Sequence, residues 1–260
     1  MAKRTADPAS TGTSWSQDGS TRPTGIPYEL TQTPLYNVLR SVRGRAYHNH
    51  MSSSLASTEP VPAIILAGGQ ALRMGGGDKC RLTLGGQTIL GRVIHRLTAQ
   101  TASLSLSANG DPGRFADYGL PVLPDPLGYD AGPLAGVLAG LDWAADMGFT
   151  SMVSVPGDTP FLPRDLVARL LDGAQETGYA LAASPDPSGR LRRHPTCSVW
   201  AVNRREALRA ALDNGLRKVG LWADQEQAVT VRFESSPFDP FFNINTPEDL
   251  ARADTMCHAI

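Results

Sequence analysis

The chain has 260 residues, 41% of them hydrophobic and 19% charged, with a formal net charge of -1. That length holds one α/β domain with a full core, or two small domains. The near-neutral balance excludes a global basic field that would draw the chain to nucleic acid or an anionic membrane, and no apolar run approaches the roughly 18 residues a transmembrane helix needs. The three cysteines, Cys80, Cys197 and Cys257, form no CxxC pair. A disulfide scaffold or structural zinc site is therefore not expected, and a reducing, cytoplasmic compartment fits.

Residues 1–58 carry 17 Ser and Thr, six Lys and Arg and three acids, without sustained apolar periodicity. Such a stretch buries too little surface to offset its ordering entropy. It is expected to be a disordered N-terminal extension, with residues 59–260 forming a single domain. Met1 is not followed by the apolar stretch of a secretory signal. The Arg- and Ser-rich, acid-poor make-up also suits an organellar transit peptide, but a plain tail, or a start at Met51, is the preferred reading.

From residue 61 the pattern alternates. VPAIILA (61–67) is a short β-branched run of the kind found in buried parallel strands. TILGRVIHRLTAQ (88–100) has helical apolar spacing, with Thr88 as a candidate N-cap. SLSLSAN (103–109) reads as a strand, residues 132–147 as a helix, and SMVSVPGD (151–158) as a strand ending in a sharp turn. A helix is expected over 163–176 with Pro163 at its start. Strands at 196–202, 228–233 and 241–244 and helices at 203–213 and 246–253 complete the reading. The expected fold is α/β: a three-layer, Rossmann-like arrangement with a mostly parallel central sheet and helices on both faces.

In such open sheets, ligands bind beyond the carboxyl ends of the strands. The loop after the first strand, IILAGGQALRMGGGDK (64–79), sets five glycines beside Arg73 and Lys79. Glycine takes positive φ and lacks Cβ, so the loop N–H groups can close on phosphate oxygens as a nest, with the two cations adding charge. A triphosphate is the natural guest; the alternative is a glycine-rich turn without a ligand. The P-loop pattern fails because Lys79 follows Asp78 and precedes Cys80, and the dinucleotide fingerprint fails because Gly75-x-Gly77 is followed by no third glycine.

LAGGQALRMGGGDK (66–79) resembles the LAGG-x-x-x-RMGG-x-DK signature of the molybdenum cofactor guanylyltransferases, within the wider nucleotidyltransferase family, and the resemblance spans roughly residues 61–255. It implies a Rossmann-like nucleotidyltransferase fold and Mg²⁺-dependent transfer of GMP from GTP to the terminal phosphate of molybdenum-loaded molybdopterin, with pyrophosphate released. Sugar-nucleotide and cytidylyl transferases usually read LAAG at this place, which disfavours the alternative of cytidylyl transfer to the same pterin or to a small phosphorylated alcohol. The resemblance further implies nucleotide contacts by Leu66, Ala67, Gly68, Gly69, Arg73, Lys79, Asn109, Asp125 and Asp158. Among these, Arg73, Lys79 and Asp158 are the candidate catalytic residues. Molybdoenzymes or their chaperones would receive the product.

The residues themselves support parts of this. Asp158 in VPGDTPFLP lies just past a strand, where a carboxylate beside a phosphate loop suits Mg²⁺, which takes one or two protein oxygens and fills its shell with phosphate and water. Its other reading is a cap for the following helix. Asp125 can accept from the N–H donors of guanine or from the ribose, and Asn109 before Gly110 can equally be a turn residue. In FFNINTPEDL (241–250), Thr246 and Pro247 open a helix. The preceding N-I-N places two amides on one face of a strand, and the resemblance implies Asn245 on the metal side and Asn243 on the acceptor side. Arg192, Arg193 and His194 match a family segment near the acceptor pocket and can meet an anionic phosphate, or form a solvated basic turn. Cys80 is expected to be a buried thiol. A nucleotide-binding regulator without turnover could dispense with one of Lys79, Asp158 and Asn245.

Overall fold

The run predicted as the first strand lies inside a seven-stranded sheet. The computed structural model describes residues 59–68, 78–127 and 131–258. The predicted extension (1–58) and most of the glycine loop, with Gly69 and Arg73, lie outside them. In chain order the elements are β1 (Ala63–Leu66), a short hairpin of β2 (Thr83–Leu84) and β3 (Gln87–Thr88), α1 (Ile89–Thr98), β4 (Leu104–Ser107) and β5 (Val122–Leu123). There follow α2 (Pro133–Asp146), β6 (Ser151–Pro156), α3 (Leu166–Gly173), β7 (Ala180–Pro185) and β8 (Leu191–Ala201). The chain then runs through α4 (Arg205–Asp213), α5 (Val219–Gln225), β9 (Val229–Arg232) and α6 (Pro247–Cys257).

The sheet order is β5-β4-β1-β6-β8-β7-β9. β5, β4, β1 and β6 run parallel, β8 runs antiparallel to both β6 and β7, and β9 is parallel to β7. The mostly parallel sheet agrees with the sequence. Side chains alternate between its faces. Ala63, Ile65, Val153 and Val155 pack with α1 and α3, whereas Ile64 and Met152 pack with α2, α4 and α5. Helices thus cover both faces, which is why the central strands are apolar on each side. No helix among the described residues is long and apolar enough to cross a membrane.

Several local expectations hold and others do not. The Thr88 hydroxyl accepts from Gly91 N at 3.0 Å, capping α1. Thr246 caps α6, and Asp249 returns the contact in a capping box. Pro163 does not open α3; that helix begins at Leu166 with Asp165 in the cap position. Residues 241–244 form no strand: the segment leaves a turn, Phe242 N donating to Asp239 O at 3.2 Å, and Ile244 N bonds across to Asp158 O at 3.1 Å. RRHPT is not a turn but part of the long strand β8, which starts five residues before the expected 196.

β8 carries an irregularity that shapes the site. Leu181 of β7 pairs with Ser198, but the next residue, Ala182, pairs with His194. Pro195, Thr196 and Cys197 are looped out of that ladder, and pairing of β8 with β6 ends at Ser154↔Ser198. Pro195 has no N–H to lose there. Hydroxyls satisfy the carbonyls left over: Ser198 Oγ donates to Pro195 O at 2.7 Å and Ser154 Oγ to Thr196 O at 2.9 Å. β8 therefore parts from β6 just where β6 reaches its carboxyl end.

Helix α2 approaches the sheet closely because Gly136 and Gly140, one turn apart, face it. A Cβ on Gly140 would lie 2.6 Å from Met152 Sδ and 2.8 Å from Ile64 Cγ2. Alanine at that position gains about 1 kcal/mol of helix propensity but overpacks a filled core, which costs about 1–3 kcal/mol. Met152 can turn its sulfur aside, whereas Ile64, fixed by its strand, cannot. Gly140→Ala is expected to lower the melting temperature by about 2–6 °C; an unchanged or higher value in a thermal scan would show that α2 has room to retreat.

Candidate functional site

Four parallel strands end level with one another. Leu66 pairs with Ser107 and with Pro156, and Ser107 pairs with Leu123. The residues just beyond, Ala67 and Gly68, Asn109, Asp125 and Asp158, are gathered at one edge by that register alone. Gly157 makes the closest approach possible: its N–H donates to Leu66 O at 3.0 Å, and an added Cβ would sit 3.2 Å from the same oxygen. Ala67 is buried and its N–H donates to Ser107 O at 2.9 Å, leaving Gly68 exposed at the mouth of the loop.

Lys79 opens a 3-10 turn, Lys79–Arg81, that returns the chain from the loop to this edge. Its Nζ donates to Asp158 Oδ2 at 2.5 Å and to Asn245 Oδ1 at 2.7 Å. The Lys79 and Asp158 side chains are only 13% and 16% exposed, so the pair is shielded from the screening that weakens surface ion pairs. Asn245 is aimed by the α6 cap, its N–H donating to Asp249 Oδ2 at 3.0 Å. Asn243 lies beside it, accepting at Oδ1 from the buried Thr159 hydroxyl at 3.0 Å. Both asparagines thus reach the Asp158 corner without belonging to a strand. Asp158 does not cap α3, whose cap position is held by Asp165, seven residues later.

A second pair forms 16 residues apart. Asn109 Nδ2 donates to Asp125 Oδ2 at 2.7 Å, and Asp125 N donates to Asn109 Oδ1 at 2.9 Å. Asn109 is therefore more than a turn residue: it fixes the Asp125 carboxylate.

Other contacts had no signal in the sequence. Asp78 accepts from Arg114 Nε at 2.7 Å, and that guanidinium lies 4.7 Å over the Phe115 ring. The bond ties the residue before Lys79 to the turn after β4. Thr159 is wholly buried; its hydroxyl donates to Asn243 Oδ1 at 3.0 Å and lies 3.4 Å from Asp158 Oδ1.

The basic segment divides. Arg193 turns to the α5 face and bonds Asp224 at 2.6 Å, Arg192 is exposed, and His194 is buried. The His194 ring stacks on Phe241 at 4.6 Å, and its Nε2 meets Ser184 Oγ at 2.7 Å. Ser184 also donates to Asp239 at 2.9 Å. Serine thus stands between the imidazole and the carboxylate, whereas a nucleophilic triad has the imidazole in the middle. Cys80 is buried as expected; burial, with Asp78 nearby, pushes its thiol up to about 12, so it is no nucleophile.

Comparison with known proteins gives this edge a lineage. A family profile described as "MobA-like NTP transferase domain" matches residues 63–228. The chain belongs to the MobA-like NTP transferase family. A molybdenum cofactor guanylyltransferase of Rhodopseudomonas palustris is 50% identical over 208 residues, 78% of this chain and 95% of the relative. One of Mesorhizobium japonicum is 47% identical over 205 residues, 77% of this chain and 97% of its own. Among solved structures, molybdopterin-guanine dinucleotide biosynthesis protein A of Archaeoglobus fulgidus superposes with a TM-score of 0.59 at 21% identity, covering 77% of this chain and all of that one. The 2-C-methyl-D-erythritol 4-phosphate cytidylyltransferase of Thermus thermophilus gives 0.58 at 23% identity, with 76% and 99% covered. At those identities the superpositions speak for the fold.

The buried imidazole makes stability depend on acid. Burial pushes His194 down to about 4, and the Arg192 charge acts in the same direction, while Asp239 opposes them. In the unfolded chain the ring titrates near about 6.5. Above that value both states are neutral and the contribution is whole; as pH falls from about 6.5 toward 4 the unfolded state alone binds the proton and stability is lost. His194→Gln is expected to show a shallower fall of denaturant midpoint across that window. Equal slopes would place the acid sensitivity elsewhere.

Proposed function

We propose that this chain transfers GMP from GTP to the terminal phosphate of molybdenum-loaded molybdopterin and releases pyrophosphate. The convergence of Lys79, Asp158 and Asn245 at the carboxyl edge of the sheet carries this reading, with the half-identical relatives named for that reaction supplying the substrate class. The working unit is residues 59–260, in the cytoplasm, with molybdoenzymes or their chaperones taking the product.

In the transfer, an acceptor phosphate oxygen forms a bond to the α-phosphorus as the bond to the bridging oxygen of pyrophosphate breaks. The acceptor is already anionic, so no side chain has to take a proton. That fits the order of the Ser184, His194 and Asp239 group, in which serine and not the imidazole stands in the middle. What remains for the protein is positioning and charge. Lys79 neutralises charge developing on the α-phosphate. Arg73 and Gly69, in the loop outside the described residues, are assigned to the β- and γ-phosphates with Gly68, and Leu66 and Ala67 set the floor of that loop. Asp125, held by Asn109, receives the base or ribose. Arg192, exposed on the strand beyond His194, faces the acceptor's phosphate.

The oxygens present fit a divalent cation. Asp158 and Asn245 already hold one cation, the Lys79 ammonium, between a carboxylate and an amide oxygen. Two protein oxygens suit Mg²⁺, which keeps water and phosphate in its remaining positions. Bound there, Mg²⁺ would polarise phosphate oxygens as a Lewis acid and template.

The test is a competition of GTP, CTP and ATP in one reaction with molybdenum-loaded molybdopterin and Mg²⁺, read by product mass. GMP addition should dominate, and CMP as the main product would move the chain to cytidylyl transfer. Asp158→Asn should lower turnover about a hundredfold or more, equivalent to about 2.7 kcal/mol, with the melting temperature nearly kept. Near wild-type turnover would remove Asp158 from the reaction.

A further inference from the structure

The same ammonium that marks the cation site also fills it. Lys79 Nζ uses two of its three donors on Asp158 Oδ2 and Asn245 Oδ1. The other Asp158 oxygen, Oδ1, faces the Thr159 hydroxyl at 3.4 Å. A divalent cation on the same two oxygens would lie within a few ångströms of the Lys79 ammonium, and in this shielded corner the two positive charges repel. We infer that Lys79 is a displaceable occupant of the cation site, holding it closed in the nucleotide-free protein and giving it up when a nucleotide brings its own phosphates. This rests on the assignment of Asp158 and Asn245 to the cation made above.

The partners differ in their freedom to move. Thr159 is wholly buried, and Asn245 is tied through its backbone to the α6 cap. Asp158 is fixed by the bond from Ile244 N to its carbonyl. Lys79 is a compact charge on a flexible four-carbon stem. Of the three, it is the one that can leave.

Free cation must compete with an ammonium tethered in place, whose effective concentration is set by the chain and not by the solution. A nucleotide changes the balance: its phosphates offer Lys79 a new anionic partner as the cation takes the oxygens. The exchange raises the positive charge at the corner by one, which the incoming phosphates balance, and no lone pair is left bare. The cation therefore enters with the nucleotide and not ahead of it.

Mn²⁺, an oxygen-seeking divalent ion with a paramagnetic signal, tests this on the full chain without nucleotide. Lys79→Met should bind Mn²⁺ at least about tenfold tighter than wild type, as read by loss of the free-ion resonance. Its melting temperature should also rise more on Mn²⁺ addition than that of wild type. The Lys79→Met/Asp158→Asn double variant should lose the gain. Lys79→Gln serves as a second variant should the methionine one fold poorly. Equal, weaker or undetectable binding by the Lys79 variants overturns the inference. If at the same time Asp158→Asn weakens wild-type Mn²⁺ binding, the cation assignment stands and the exchange alone has failed. A gain that survives in the double variant would show that the ion binds elsewhere, which removes the assignment itself.

Discussion

The ammonium of Lys79 is satisfied by two oxygens that are remote in the chain, Asp158 at a separation of 79 residues and Asn245 at 166. Bringing them within 2.7 Å of one nitrogen uses most of the fold. The β1–β6 register sets Asp158 just past the end of the strand that leads into the glycine loop. The bond from Ile244 N to Asp158 O carries the N-I-N segment across, and the α6 capping box turns Asn245 inward. Arg114 anchors the residue before the lysine. All but the local capping box join distant segments, so the corner forms only when the sheet has formed.

The rest of the edge is arranged around that corner. Level strand ends place the Asn109–Asp125 pair on the same side. The looped-out residues in β8 move its first half away from β6, next to Asp158. In the proposed reaction the nucleotide lies to one side of Asp158, and the acceptor, with Arg192 on its phosphate, enters from the side where β8 leaves β6. A nucleotidyltransferase needs such two-sided access, because acceptor and leaving group occupy opposite sides of the α-phosphorus. The buried Ser184 and His194 are tied by hydrogen bonds to Asp239, which joins β7 and β8 to the segment after β9.

Sequence patterns exposed what local physics controls. Apolar β-branched runs marked β1 and β6, and cap residues marked α1 and α6. β7 escaped notice because ALAASP is rich in alanine, a poor strand former, and is a strand here only because both of its faces are buried. α5 escaped because its seven residues lack a side-chain cap. FFNIN alternates as a strand does, yet it forms no ladder; the bond from Ile244 N to Asp158 O still brings Asn243 and Asn245 to the same corner. Lys79 and Asp158 stood out because a glycine-rich turn and a strand-end carboxylate are local signatures, and the family resemblance added Asn245. The Asn109–Asp125 and Asp78–Arg114 bonds join segments 16 and 36 residues apart through loops, and no periodicity records such pairings.

The most direct measurement of the central claim is the anomalous diffraction of Mn²⁺ in crystals grown with a non-hydrolysable GTP analogue. The account places the Mn²⁺ peak against Asp158 and Asn245, with the Lys79 ammonium withdrawn from both and set on phosphate. A peak away from these oxygens, with Lys79 still seated on Asp158, would contradict it.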